Sequence, residues 1–242
     1  MKKNRAKTNE RAAGWLVLSA WAPELAKLEA ALPRLPARVR SKIRLASVGV
    51  GLVEAAVNTT RLLAKQRPAA VLLVGTAGVY PGRRPDLPLG GAALLDQILL
   101  LPEILPGKHA LLPEVVPRRE HASSHLRKAL MRATHLPSAD VACPLAITSS
   151  ARAATAAARL SDCALENLEA FAVARAAALA SVPFAAILGI ANHVGPSGHR
   201  EWKQNASQAA AVACDAVLAW LFATAPTPPR SPRATEKRPR RG

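Results

Sequence analysis

The sequence predicts an α/β domain built on a largely parallel sheet with helices on both faces. Short, continuously apolar runs recur along the chain, as in WLVLSA (15–20) and AAVLLVGTAG (69–78), and each is too short to be a buried helix. Segments of helical character separate them. Runs without in/out alternation belong to strands covered on both sides, and their alternation with helices indicates a parallel arrangement. Half of the 242 residues are AVILMFWYC and only 3% are aromatic, so the core must be aliphatic and alanine-rich. Such a core suits helices lying close on a sheet. The length fits one domain of ordinary size.

Taken in order, residues 15–20 form the first strand, and Pro23 fits the first turn of a helix carrying Glu24, Leu25, Leu28 and Leu32. A strand over 43–48 runs into Gly49 and Gly51, and a helix follows through Lys65. The run at 69–78 is a second strand that ends in glycine. YPGRRPDLPLGG (80–91) is loop by its proline and glycine content. GAALLDQILLLPE (91–103) is a strand or a pair of strands. The basic stretch 118–133 reads as an exposed helix with His121, His125 and Arg132 on its wet side. VACPLAIT (141–148) is another strand, 151–160 a helix, 168–181 an alanine-rich helix and 182–192 the last strand. Residues 203–222 close the domain as an amphipathic helix.

The formal charge of +17 resembles that of a nucleic-acid binder, but its placement argues otherwise. The first eleven residues hold five Lys/Arg and one acid, and the last eighteen hold six and one. Between them remain 22 basic and 14 acidic residues, a formal +8. Both ends lack apolar periodicity and read as disordered, solvated tails. Cys143, Cys163 and Cys214 are widely spaced, which argues for a reducing compartment and against a disulfide framework or zinc site. No apolar segment follows the N-terminal charges before Gly14, and the tract 168–191 is interrupted by Arg175 and Pro183. Neither a signal peptide nor a bilayer span is expected, and the expected location is cytoplasmic.

In open α/β sheets ligands bind beyond the carboxyl ends of the strands. That directs attention to residues 20–24, 49–51, 75–78, 148–150, 166–169 and 191–194. VGVGLVEAA (48–56) lacks the third glycine of a dinucleotide fingerprint, because Glu54 occupies its place. Its glycines read instead as easing a strand-to-helix turn near a ligand. Glu24, one turn into its helix, either faces the helix dipole or reaches a pocket. Glu166 and Glu169 share a helix face if the helix starts that early; if a strand runs through Glu166, only Glu169 reaches a pocket. Asn192 closes an apolar strand, as a turn residue or as a polar group in a pocket.

These pieces, in this order, resemble the nucleoside phosphorylase and nucleosidase superfamily, and within it the futalosine hydrolase branch most. The pieces are A-x-x-x-E-L at 20–25, GVG at 49–51, GTAGVYPG at 75–82, LENLEAFA at 165–172 and IANHVGPSGHREW at 190–202. The resemblance spans roughly residues 14–222. It implies a three-layer α/β/α domain with a central mostly parallel sheet at residues 14–224, flanked by tails at 1–13 and 225–242. It implies hydrolysis, without metal or cofactor, of the N-glycosidic bond of a purine nucleoside. The first candidate is futalosine, split to hypoxanthine and dehypoxanthine futalosine in menaquinone biosynthesis. It also implies a homo-oligomer, dimeric or larger.

By residue, the resemblance implies that Glu24 orients and deprotonates the attacking water. Glu169 would accept hydrogen bonds from the ribose 2′- and 3′-hydroxyls, with Leu168 packing under the sugar. Asn192 would face purine N7 and O6, and Thr76, Ala77 and Gly78 would line the floor. Glu166 would be a supporting or capping residue. The chemistry agrees with this division. Cleavage passes through an oxocarbenium-like sugar while the leaving base gains negative charge, so a carboxylate near the sugar stabilises the cation and can activate water. An adenine leaving group calls for an acid to protonate N7. Asn192 cannot supply a proton but can donate a hydrogen bond, which favours a 6-oxopurine such as hypoxanthine.

The sequence departs from the family pattern at several points. Leu168 replaces the usual methionine, a nearly volume-conserving change. Leu89-Gly90-Gly91 stands where V-G-D is common, loop 82–88 is basic and proline-rich, and 195–200 shifts the expected basic position. Three alternatives follow. A phosphorylase is disfavoured because SAWAPELAK (19–27) lacks a glycine and arginine phosphate cradle. A 5′-methylthioadenosine/S-adenosylhomocysteine nucleosidase is disfavoured by Asn192. A non-catalytic binder of nucleosides or nucleic acid is the last, and scarce aromatics for base stacking argue against the nucleic acid.

Overall fold

The apolar runs become strands whose alternate side chains feed two separate cores. The computed structural model describes residues 14–102 and 113–224, so the tails and Glu103 lie outside the described residues. In β1 (Trp15–Ser19) Leu16 and Leu18 enter one core and Val17 the other. β3 (Ala70–Val79) divides Val71 and Leu73 from Leu72 and Val74. β8 (Phe184–His193) divides Ala186 and Leu188 from Ala185 and Ile187. Side chains alternate along a strand, so a run apolar throughout must be covered twice. α3 (Leu52–Gln66) and α6 (Ala170–Leu179) cover one side. The other is covered by α1 (Ala26–Ala31), α4 (Ser124–Thr134) and α7 (Gly198–Thr224).

Alanine decides how closely these helices lie. Seven residues of α6 are buried, five of them alanine, as expected of a helix apolar on every side. α7 lies directly on β8, because a Cβ on Gly189 would fall 2.0 Å from the Ala209 carbonyl oxygen. By length and composition α7 could also cross a membrane. Its Ala209, Ala213, Val217 and Trp220, however, are buried against the sheet.

Most strand pairings are parallel, but the sheet is mixed and partly closed on itself, which corrects the expectation of a simple mostly parallel sheet. β2 (Ile43–Ser47), preceded by the short α2 (Ala37–Arg40), pairs parallel with β1, and β1 with β3. β3 pairs parallel with β8, but β8 pairs antiparallel with β4 (Ala92–Leu101). β4 then pairs parallel with β6 (Ser138–Pro144), β6 with β7 (Leu165–Glu166), and β7 antiparallel with β3. The five strands β3, β8, β4, β6 and β7 therefore close into a ring. The reason lies in residues 80–91. A parallel return needs a long crossover, usually a helix, whereas this loop only reverses the chain, and Gly90 and Gly91 join it to Ile190 of β8.

Other boundaries shift for local reasons. The 91–103 run is one strand, with a register irregularity between Leu95 and Ile98 that leaves Asp96 and Gln97 half-buried. The basic stretch 118–133 is not one helix: β5 (Arg119–His121) pairs with β4, and α4 begins only after Ser123. His121, His125 and Arg132 are exposed, as expected. Strand 141–148 moves back to Ser138–Pro144, leaving Leu145 and Ile147 exposed in a loop before α5 (Ala151–Ser161). α7 begins five residues earlier than expected and takes His199 and Trp202 into its first turns. The three cysteines are free and buried.

Candidate active site

The exits of the strands converge on one cavity of about 360 Å³. All eight residues singled out in the sequence line it: Glu24, Thr76, Ala77, Gly78, Glu166, Leu168, Glu169 and Asn192. Glu24 comes from the 3-10 turn Ala22–Leu25 after β1, and residues 76–78 from the end of β3. Glu166 ends β7, Glu169 caps α6, and Asn192 comes from β8.

Glu24 is buried yet only partly satisfied. One carboxylate oxygen accepts from the Trp21 backbone N–H (3.2 Å) and the other from the Thr76 hydroxyl (3.1 Å). Burial, helped by the neighbouring Glu169 charge, pushes its pKa from 4.5 up to about 7, although these two donors and the Thr76 backbone pull it back. A carboxylate that changes state near neutrality is suited to taking up a proton. Trp202 extends this chain, since its indole N–H donates to the Thr76 hydroxyl oxygen at 3.1 Å.

Glu166 and Glu169 take different surroundings although only two residues separate them. The strand runs through Glu166, so the pair does not share a helix face. Glu166 accepts from the Tyr80 hydroxyl (2.8 Å), the Thr148 hydroxyl (2.6 Å) and the Thr148 backbone N–H (3.1 Å). Glu169 accepts from the Gly51 backbone N–H at 2.8 Å and also from Asn167 and the Leu168 backbone, but its burial outweighs these and raises its pKa. Asn167 sets the bend between them. Its side-chain oxygen accepts from the N–H groups of Glu169 and Ala170, and its amide donates to the Thr76 carbonyl at 3.0 Å. Asn167 thereby satisfies the first turn of α6, and its side chain also supports the Glu169 carboxylate, which lines the cavity.

Asn192 lies opposite Gly78 at a register shift between β3 and β8. Its amide donates to the His193 carbonyl at 2.9 Å, which leaves one amide proton and the side-chain oxygen for other partners. A Cβ on Gly78 would come within 2.8 Å of the Asn192 amide nitrogen and of a Val194 methyl, so glycine is needed here. After Asn192 the chain is drawn back to α7. Glu201 accepts from the His193 backbone N–H (2.7 Å) and from the Ser197 hydroxyl (2.6 Å). Arg200 is exposed and does not line the cavity.

Aromatic and apolar groups complete the wall: Trp21, Val50, Ile147, His199 and Trp202. Trp202 lies 6.2 Å from Trp21 and 6.3 Å from His199, nearly parallel to the latter. Sequence reasoning gave none of these a role, nor Asn167 or Thr148, although Trp21, Val50, Thr148 and Asn167 lie in stretches placed at strand ends and Trp202 closes the 190–202 piece. Asn167 carried a further signal, as an N-cap residue type ahead of an apolar helix. No Lys or Arg lines the cavity among the described residues. Three buried carboxylates, an amide and apolar walls, without a Lys or Arg, suit a neutral ligand that develops positive charge.

A family model for the phosphorylase superfamily matches residues 36–221. Solved structures with the same fold include futalosine hydrolase of Helicobacter pylori, at 14% identity and a TM-score of 0.77, covering 87% of this chain and 98% of that one. The 5′-methylthioadenosine/S-adenosylhomocysteine nucleosidase of Neisseria meningitidis, in complex with methylthio-immucillin-A, is 17% identical with a TM-score of 0.73, covering 86% and 98%. Its Helicobacter pylori counterpart, with butyl-thio-DADMe-immucillin-A, is 14% identical with a TM-score of 0.78, covering 88% and 100%. No match was found among curated proteins.

Proposed function

This chain belongs to the phosphorylase superfamily, and from that premise we propose that it hydrolyses the N-glycosidic bond of a purine nucleoside. The observation that carries the reading is the pairing of Glu24 and Glu169 across one cavity, both buried and neither neutralised by a cation. Glu24 activates the water and accepts its proton. Glu169 accepts from the ribose hydroxyls and steadies the oxocarbenium-like sugar, with Leu168 beneath it. Asn192 donates its second amide proton to the leaving base. An amide donor without an acid fits a 6-oxopurine, and futalosine is the first candidate, which would put the enzyme in menaquinone synthesis.

The absence of Lys and Arg from the described lining also supports water over phosphate as the nucleophile. A 5′-methylthioadenosine/S-adenosylhomocysteine nucleosidase is the second reading, favoured by the apolar wall of Trp21, Val50 and Ile147. Incubation with futalosine, inosine and methylthioadenosine, each with and without phosphate, separates these readings by the base released. Hypoxanthine released from futalosine at a phosphate-independent rate is expected. Preferential release of adenine supports the second reading, and no release from any nucleoside removes both.

A further inference from the structure

We propose that Trp202 is a positioning residue that aims the hydroxyl proton of Thr76 at Glu24 and so keeps Glu24 ready as a base; this rests on the hydrolase reading above. The chain of contacts has a direction. An indole N–H only donates, so Thr76 Oγ1 must be the acceptor of the 3.1 Å contact with Trp202 Nε1. With that lone pair occupied, the threonine's own proton is directed to Glu24 Oε1, also at 3.1 Å. A hydroxyl donating to a carboxylate favours the charged form, whereas a hydroxyl free to turn can accept from the protonated acid and favour neither.

Thr76 is held from both sides. Its backbone carbonyl accepts from Asn167, and its side chain is buried between β3 and α7. The groups facing Glu24 leave few other means of setting its charge. Glu169, at the start of α6, opposes ionisation. Backbone hydrogen bonds from Trp21 and Thr76 favour it and stay in place in every variant below. Cys214 of α7 donates its thiol to the Glu24 backbone carbonyl at 3.2 Å and is neutral near pH 7, because burial pushes its pKa up to about 11. Lys27 and Asp215 pair with each other in exposed positions. His199 stacks on Trp202 rather than bonding to Glu24.

The test follows Glu24 with and without turnover. Carbon-13 spectra of labelled carboxyl groups, with the Glu24 signal assigned by its loss in Glu24→Gln, give its midpoint in the resting protein. The acid limb of kcat/KM gives the same free-enzyme midpoint from activity. Trp202→Phe keeps a ring and removes the N–H. It is expected to move both midpoints to higher pH by about half a unit or more, part of one charge-assisted hydrogen bond. Thr76→Val should shift them in the same direction, and adding Trp202→Phe to Thr76→Val should add nothing. His199→Ala should leave them in place. If Trp202→Phe does not fold, β-(3-benzothienyl)alanine at position 202 replaces the N–H by sulfur within a fused ring.

An unmoved midpoint after removal of the N–H, with any loss confined to KM, would make Trp202 only a wall and overturn the proposal. A midpoint that moves in a protein releasing no base from any nucleoside would keep the relay and remove the hydrolase reading instead.

Discussion

Glu166 and Glu169 lie three positions apart, line the same cavity and are both buried, yet their surroundings differ. Glu166, at the end of β7, is surrounded by three donors from Tyr80 and Thr148. Glu169, at the start of α6, accepts from the Gly51 N–H, with Asn167 and the Leu168 backbone contributing less, and stays strained enough by burial that its pKa is raised. Glu24 across the cavity resembles Glu169, with donors that do not offset its burial and a raised pKa. Burial alone therefore does not mark a group for chemistry. Unused hydrogen-bonding capacity directed at a cavity does, because each lone pair left unpaired there costs stability that a ligand can recover.

The largest expected effect belongs to Glu24. Glu24→Gln keeps size and removes the base, so kcat should fall by roughly a hundredfold or more while binding persists, as steady-state kinetics and ligand titration would show. The same variant bears on stability. Glu24 has a folded pKa of about 7 against 4.5 unfolded, so its contribution is fully present below pH 4.5 and is lost as pH rises through 7. The loss is about 3 kcal/mol. Glu24→Gln should abolish that slope, and Tm measured from pH 4.5 to 8 should rise relative to the parent protein as pH increases. A constant difference in Tm would show that Glu24 is not strained by its charge.

Glu169→Gln should raise KM and lower kcat together, each by about tenfold, because it replaces a charged acceptor at about 1.5–3 kcal/mol per bond. Glu166→Gln should do the reverse. Its amide would meet donors, which costs about 1–3 kcal/mol of stability, while kcat changes less than tenfold. Equal kinetic losses in the two variants would break the distinction between them.

Asn192→Asp has a smaller and more specific effect. An ionised aspartate repels charge on O6, so turnover of hypoxanthine nucleosides should fall near pH 7. At lower pH, where the acid can hold a proton, adenine nucleosides should gain in relative rate. An unchanged preference across pH 5–8 would return Asn192 to the role of a strand-end residue.

How much of this the sequence showed differs between the two acids as well. Apolar runs located β1, β3 and β8, because a strand covered on both sides leaves a continuous mark. The clustering of Glu24, residues 76–78, Glu169 and Asn192 followed from where those strands end. The ring closure was hidden, since it depends on the antiparallel pairing of β4 with β8, and local pattern carries no information about pairing partners. Trp202 and His199 were missed because α7 starts at Gly198, ahead of the apolar periodicity that marks its body. The role of Thr148 toward Glu166 is a contact across 18 residues with no local signature.

The smallest effect is expected from the tails. Removing residues 1–11 and 225–242 should leave turnover within about twofold, because neither segment shares the apolar pattern of the domain, while salt-sensitive retention on polyanions weakens.

The central claim is that water, activated at Glu24, attacks the sugar of a purine nucleoside. Turnover of futalosine in oxygen-18 water containing phosphate tests it most directly. One solvent oxygen should appear on the anomeric carbon of the released sugar, alongside free hypoxanthine. A sugar 1-phosphate as the main product, or intact nucleoside, would contradict the claim.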